Sequence, residues 1–142
     1  PGRTALSSYR LREGVDPVAE LCLMARDEFD AVVAAIRYWP VRVGEAGTPA
    51  LLLGPVAVHH TRQGEGLAAT LIGTTLETAA ELGWTRVALV GDEPYYRRFG
   101  FTRALGEGLV MPPPTNPARV LGRELAPGGW DGVSGEVRGW TD

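Results

Sequence analysis

The sequence predicts a mixed α/β fold, and two observations carry that reading. From Leu51 to Val90 an apolar extended run, a glycine-rich turn, a helical pattern and a second extended run succeed one another, the order of a parallel strand pair with a right-handed crossover. Ahead of that unit lie extended candidates joined by short turns, which favours antiparallel pairing. The 142 residues suit one domain with a core of its own, and no internal repeat divides them.

Pro1 to Val15 is polar and basic without a sustained period and reads as solvated loop, with Tyr9, Arg10 and Arg12 in it. Alternation predicts a strand from Val18 to Arg26, and the acids around Phe29 in Asp27 to Asp30 predict a turn. Val32 to Trp39 is a second strand closed by Pro40, with Val41 to Val43 extending it, and Gly44 to Gly47 turns the chain. The third strand is Leu51 to Val58. In the helix that follows, Leu67, Leu71, Ile72, Leu76, Ala79 and Leu82 recur at helical spacing, with Thr70, Thr74, Glu77 and Glu81 opposite them. Gly83 is a natural helix stop. Arg86 to Val90 is the fourth strand.

Asp92 is placed to cap, and Pro94 to sit in the first turn of, a short helix through Tyr95 to Phe99 that ends at Gly100. Residues 105 to 117 are rich in Gly and Pro and read as loop. Val120 to Leu125 is a further strand, and Gly129 to Asp142 a tail with one short pairing around Ser134 to Arg138.

Composition narrows the function classes. With 44% hydrophobic and 22% charged residues the chain reads as an ordinary soluble protein, and a net charge of −3 gives no footprint for nucleic acid or an anionic membrane. Its apolar runs fall far short of the roughly 20 residues a membrane span needs. Cys22, the only cysteine, allows neither an internal disulfide nor a thiolate metal cluster, which is compatible with the cytoplasm. Its apolar neighbours predict a buried small side chain in a strand.

The chemistry concentrates in the turn Arg62-Gln63-Gly64-Glu65-Gly66-Leu67-Ala68. Glycines let the main chain approach a ligand with no Cβ in the way, and the free N–H groups of a helix start favour an anion. A phosphate-bearing ligand follows. No Gly-Lys-Ser or Gly-Lys-Thr occurs, so the turn is not a P-loop. Gly64 to Ala69 satisfies the dinucleotide pattern G-x-G-x-x-A with Asp92 downstream, but His59 to Gln63 intervene after the strand and only one crossover follows.

Two motifs match a different pattern. Gln63-Gly64-Glu65-Gly66-Leu67-Ala68 fits Q/R-x-x-G-x-G/A, and Tyr95-Tyr96-Arg97-Arg98-Phe99-Gly100-Phe101 fits the tyrosine-to-glycine-phenylalanine segment that follows it. Together they resemble the GCN5-related N-acetyltransferase (GNAT) superfamily, and the run from about Leu21 to Trp140 resembles its small bacterial members. The resemblance implies a mixed, mostly antiparallel sheet in which strands 51–58 and 86–90 splay apart, with flanking helices.

It also implies acetyl-CoA as co-substrate and no metal. The pyrophosphate would rest on main-chain N–H groups of Gln63, Gly64, Glu65, Gly66, Leu67 and Ala68, with Arg62 adding charge. The pantetheine arm would pair with Val56, Ala57 and Val58, and one N–H of that strand would polarise the thioester carbonyl. An amine of a small molecule or peptide would attack directly, and Tyr96, four residues before Gly100, would return a proton to the departing thiolate. Tyr95 is read as structural.

The place of the glutamate base that some relatives carry is Leu52 here. Glu20 could act through water, while His59 and His60 read as loop histidines. Gly91-Asp92-Glu93-Pro94 replaces the usual asparagine connection. Relatives begin with a strand and one or two helices that wall the acceptor site. Residues 1 to 17 supply little of this, so the wall is either outside the sequence or completed by another chain, and a homodimer is compatible with the latter. The rivals are a non-catalytic acyl-CoA-binding sensor, which the missing base favours, and a dinucleotide-binding domain.

Overall fold

The computed structural model describes residues 11 to 140; Tyr9 and Arg10 lie outside the described residues. Seven strands form one sheet: β1 (Leu23–Arg26), β2 (Val32–Val43), β3 (Thr48–Val58), β4 (Arg86–Val90), β5 (Leu109–Val110), β6 (Val120–Glu124) and β7 (Gly135–Gly139). Their order is β5, β7, β2, β3, β4, β6, with β1 also on β2. Helix α1 (Leu67–Glu81) crosses from β3 to β4, and the short helices α2 (Glu93–Tyr96) and α3 (Arg103–Gly106) follow.

The expected antiparallel start is present, since β1 and β3 both pair antiparallel with β2. Pro40 does not close β2. The Tyr38 carbonyl accepts from Val18 N–H at 2.9 Å on the outer side of the strand. Two residues on, Pro40 faces that same side, between the stretches covered by β1 and β7, where its missing donor costs no ladder bond. At the other end, a 3₁₀ turn at Ala19–Leu21 shortens β1, and Cys22 is partly buried in the connection, its thiol donating to Val18 O at 3.3 Å.

The sheet has an apolar layer on each face. On one, α1 lays Leu71, Ile72, Leu76 and Ala79 against Ile36, Tyr38, Leu51, Leu53, Val87 and Leu89. On the other, Leu11, Trp39, Leu52, Ala88, Met111 and Trp130 come together. Arg12, expected in solvent, lies over the Trp39 ring at 5.5 Å. In α1 the expected face holds at Leu71, Ile72, Leu76 and Ala79, with two departures: Thr75 is fully buried on it, and Leu82, just past the helix end, is 47% exposed. Thr75 donates to the carbonyl of Leu71 at 2.7 Å and accepts from the Tyr38 hydroxyl at 2.8 Å, so its polar atom is satisfied inside the core.

Beyond β4, Asp92 occupies the cap position of α2 but its side chain caps nothing and pairs with Arg119 at 3.3 Å. The segment read as loop contains α3, β5 and a 3₁₀ turn at Pro117–Arg119. Gly106 and Gly122 let α3 lie directly on β6, because a Cβ at either would sit within 3 Å of the facing backbone. The tail supplies β7, which pairs with β2 and β5.

One irregularity positions everything that follows. β3 pairs with β4 only through Leu51↔Val87 and Leu52↔Ala88. Beyond them β3 stays on β2 while β4 stays on β6, so the parallel pair opens into a V.

Candidate active site

At the start of the V, β3 carries a bulge: Tyr38 faces Leu53 and Ile36 faces Val56, leaving Gly54 and Pro55 opposite Arg37 alone. An extra residue reverses the side-chain alternation. Leu51 and Leu53 face the α1 side before the bulge, and Val56 and Val58 face it afterwards. Ala57 therefore points away, with the shallow apolar surface of Val32 to Ala35.

The main chain follows the same phase. His59 N–H donates to Val33 O on β2 at 2.7 Å, and Ala57 stands opposite Ala35. By the alternation of an antiparallel ladder, the N–H and C=O of Ala57 also face β2, whereas those of Val56 and Val58 face the edge that β4 has left. Of the three residues expected to pair with a ligand, two offer their main chain to the V and Ala57 does not.

The turn after β3 is built from two left-handed glycines, Gly64 at φ 90° and Gly66 at φ 79°. A Cβ at either would meet nothing within 4 Å, so the backbone torsion rather than space calls for glycine. Gly66 takes the N-cap position of α1 without a side-chain cap. The first bond back into the turn is Thr70 N–H to Gly66 O at 3.0 Å. Among the described residues no main-chain N–H from Gln63 to Ala69 donates to a protein acceptor. These donors converge where the helix dipole is positive.

The turn and the V share one cleft of ≈ 540 Å³, lined by Val56, Val58, Arg62, Gln63, Gly64, Gly66, Leu67, Ala68, Ala69, Tyr95, Tyr96 and Arg98. Glu65, expected among the ligand contacts, does not line it; its carboxylate reaches back to Arg62 at 3.4 Å. Arg62 also pairs with Asp27 at 3.6 Å. N–H groups of Ala31 and Phe29, with Arg62 beside them, hold the Asp27 carboxyl below its ordinary value.

Tyr96 reaches the cleft from α2. Its ring lies edge to face with Tyr95 at 5.0 Å and Phe101 at 6.1 Å, and its hydroxyl has no hydrogen-bond partner among the described residues. Burial pushes the phenol above its ordinary value of 10.0, with Tyr95 and Asp92 adding to the effect and Arg119 opposing it. The group stays protonated through the neutral range and can donate.

Arg98 and Ala69, which the sequence showed only as motif positions, were not expected to line the site, and Tyr95 was read as structural. Arg98 follows Tyr95 by one helical turn and lies over its ring at 4.6 Å, with Nε donating to the Tyr95 carbonyl at 3.2 Å. That spacing of three was the available signal. His59 and His60 stack on each other at 4.5 Å outside the cleft, and Glu20 is exposed in its 3₁₀ turn. No carboxylate or imidazole among the described residues lines the cleft. Among the described residues no cluster of three or more His, Cys, Asp or Glu could hold a metal ion, and no helix is long and apolar enough to cross a membrane.

The family model of the acetyltransferase (GNAT) domain matches residues 6–104, from ahead of β1 into α3. The chain belongs to the GNAT acetyltransferase family. The uncharacterized N-acetyltransferase YhbS of Escherichia coli K12 is 32% identical over 129 residues, 91% of this chain and 76% of that protein. Among solved GNAT structures, E. coli YhbS in complex with CoA superimposes with a TM-score of 0.74 at 31% identity over 82% of this chain. A GNAT acetyltransferase from Brucella melitensis in complex with acetyl-CoA gives 0.64 at 32% identity, again over 82%. The matched region spans 65% and 64% of those two chains, under two thirds of each.

Proposed function

We propose that this GNAT chain transfers the acetyl group of acetyl-CoA to an amine of a small-molecule or peptide acceptor by direct attack. The observation that carries the reading is the meeting, in one cleft, of uncommitted N–H groups from Gln63 to Ala69, the open edge of β3 at Val56 and Val58, and the Tyr96 hydroxyl. The solved relatives hold CoA and acetyl-CoA, which carry a diphosphate, an amide-bearing arm and, in the second, a thioester.

In this reading the turn holds the diphosphate and the β3 edge pairs with the arm. A β3 N–H stabilises the oxyanion that forms when the amine attacks the carbonyl carbon, a position where one donor is worth about 10²-fold or more in rate. Attack leaves the nitrogen with an extra proton; as the C–S bond breaks, Tyr96 gives its own proton to sulfur, and the nitrogen sheds its proton through water, which restores the phenol. With no base in the lining, the amine enters neutral, and the rate rises with pH as the acceptor loses its ammonium proton. We place the reaction in the cytoplasm, with the chain as one acetyltransferase domain whose acceptor wall a second copy could complete.

The same absence of a base supports a second reading, an acyl-CoA-binding sensor that performs no transfer. Incubating the protein with acetyl-CoA and a panel of primary amines, while following CoA by chromatography, separates the two. Release above the amine-free background supports transfer, and tight binding without release supports the sensor. The sequence contains no lysine, so no ε-amine of the chain competes for the acetyl group.

A further inference from the structure

We infer that Trp39 is a positioning residue for acetyl transfer, holding the β3 bulge that turns Val56 and Val58 into the cleft. The inference rests on the proposed transfer activity and names a residue outside the cleft as what sets its phase.

Trp39 belongs to the apolar layer opposite α1, on the far face of the sheet from the cleft. Its indole N–H donates to Gly54 O at 2.7 Å. Gly54 is the first residue of the bulge, has φ 140°, and is followed by Pro55, which has no N–H. The ladder therefore offers this corner little: Gly54 and Pro55 share one residue opposite, and the β4 pairing has already ended at Leu52. The indole bond fastens the carbonyl of the bulge's first residue from the far face of the sheet.

What it fastens decides which residues serve the ligand. Continued without the extra residue, the alternation that puts Leu51 and Leu53 on the α1 side would carry Pro55 and Ala57 there and turn Val56 and Val58 away. The N–H of Val56, the first to follow the bulge on the open edge, would then face β2. A donor aimed at a developing oxyanion tolerates little misplacement, and about 1 Å can cost roughly 10²-fold in rate. Trp39 thus acts on the thioester through the backbone and touches no reacting atom.

Trp39→Phe keeps a buried ring and removes the donor. Val41→Ala, which truncates another buried residue of the same layer, is the control for general loosening. The readouts are turnover, affinity for CoA by calorimetry, and the infrared stretch of bound acetyl-CoA labelled with ¹³C at the carbonyl. In wild type the stretch moves to lower frequency on binding. In Trp39→Phe most of that shift is lost and turnover falls roughly 10- to 100-fold, while CoA affinity stays within about threefold, an order-of-magnitude bound on an unchanged diphosphate site. Val41→Ala keeps the shift. An unchanged stretch and rate in Trp39→Phe, or equal losses in both variants, would overturn the assignment.

If Trp39→Phe does not fold, the indole N–H resonance of wild type decides. Slow solvent exchange and a larger shift with acetyl-CoA than with CoA support the assignment, and free exchange with no difference between the ligands sinks it. A wild-type protein that binds no CoA would instead defeat the proposed function, a separate outcome.

Discussion

Gly91 and Tyr96 fit each other at the mouth of the V: a Cβ on Gly91 would stand 2.6 Å from Cε2 of the Tyr96 ring. Gly91 is held in turn by its N–H to the carbonyl of Arg119 at 2.9 Å. Since its φ is not in the left-handed region, contact rather than torsion excludes a side chain, with the ring nearest and Leu89 Cδ1 next at 3.1 Å. Gly91→Ala should displace the phenol from the cleft, at a cost of about 1–3 kcal/mol in stability. Turnover should fall at least about tenfold while CoA affinity changes little. Steady-state kinetics with calorimetry checks this, and an unaltered rate would show that the ring position is immaterial.

Removing the hydroxyl itself is the sharper change. Tyr96→Phe should lower turnover by roughly 10²-fold, the usual range for a lost proton donor, and leave CoA affinity nearly intact. The pH profile adds a sign. Because burial raises this phenol above its ordinary 10.0, the wild-type rate should climb as the acceptor amine loses its proton and fall only beyond the ordinary phenol range, as the phenolate forms. That alkaline fall should be absent in the variant, and its persistence would assign it to another group.

Tyr38 predicts an alkaline loss of stability rather than of chemistry. Burial pushes its phenol to about 12, against 10.0 for the free group, and the bond to Thr75 lowers it only in part. A folded value above the unfolded one means the contribution is complete below pH 10 and disappears as pH climbs toward 12. Urea denaturation across that window should show stability falling by roughly 1–3 kcal/mol. With no lysine in the sequence, the other groups that titrate there are chiefly tyrosines, and Tyr96, also raised by burial, adds to the decline. Tyr38→Phe should lose about 1 kcal/mol at neutral pH through the broken Thr75 bond and show a shallower alkaline decline.

The turn gives a prediction about backbone alone. Gly66→Ala meets no steric obstacle, yet φ 79° costs an L-residue about 1–2 kcal/mol. The relaxed backbone would no longer aim the N–H groups together. CoA affinity should fall by at least about tenfold, 1.4 kcal/mol, with the melting temperature only modestly lower. Full affinity in Gly66→Ala would mean that the torsion is not what binds.

Much of this was legible in the sequence because its determinants are local. The glycines at 64 and 66, the period of α1 and the tyrosine-to-glycine-phenylalanine segment each specify a short piece of backbone, and the pieces come in the order of the fold. What was hidden depends on contacts distant in sequence. Thr75 reads as a polar helix residue until Tyr38 is found opposite it. Ala57 looked equivalent to its valine neighbours because a bulge has no unambiguous residue signature, and the phase it sets is fixed by pairing with β2. Pro40 suggested a strand end, since nothing nearby shows that its missing donor faces a gap. Arg98 was not expected at the site because an arginine on a short helix is most often solvated.

The central claim is that the free amides between Gln63 and Ala69 hold the diphosphate of CoA. The most direct measurement is the ¹H–¹⁵N correlation spectrum of the protein at rising CoA. The amides of Gly64, Gly66, Leu67 and Ala68 should show the largest displacements and exchange more slowly once saturated, with Val56 and Val58 following. Tight CoA binding that leaves the turn amides unmoved would contradict the account.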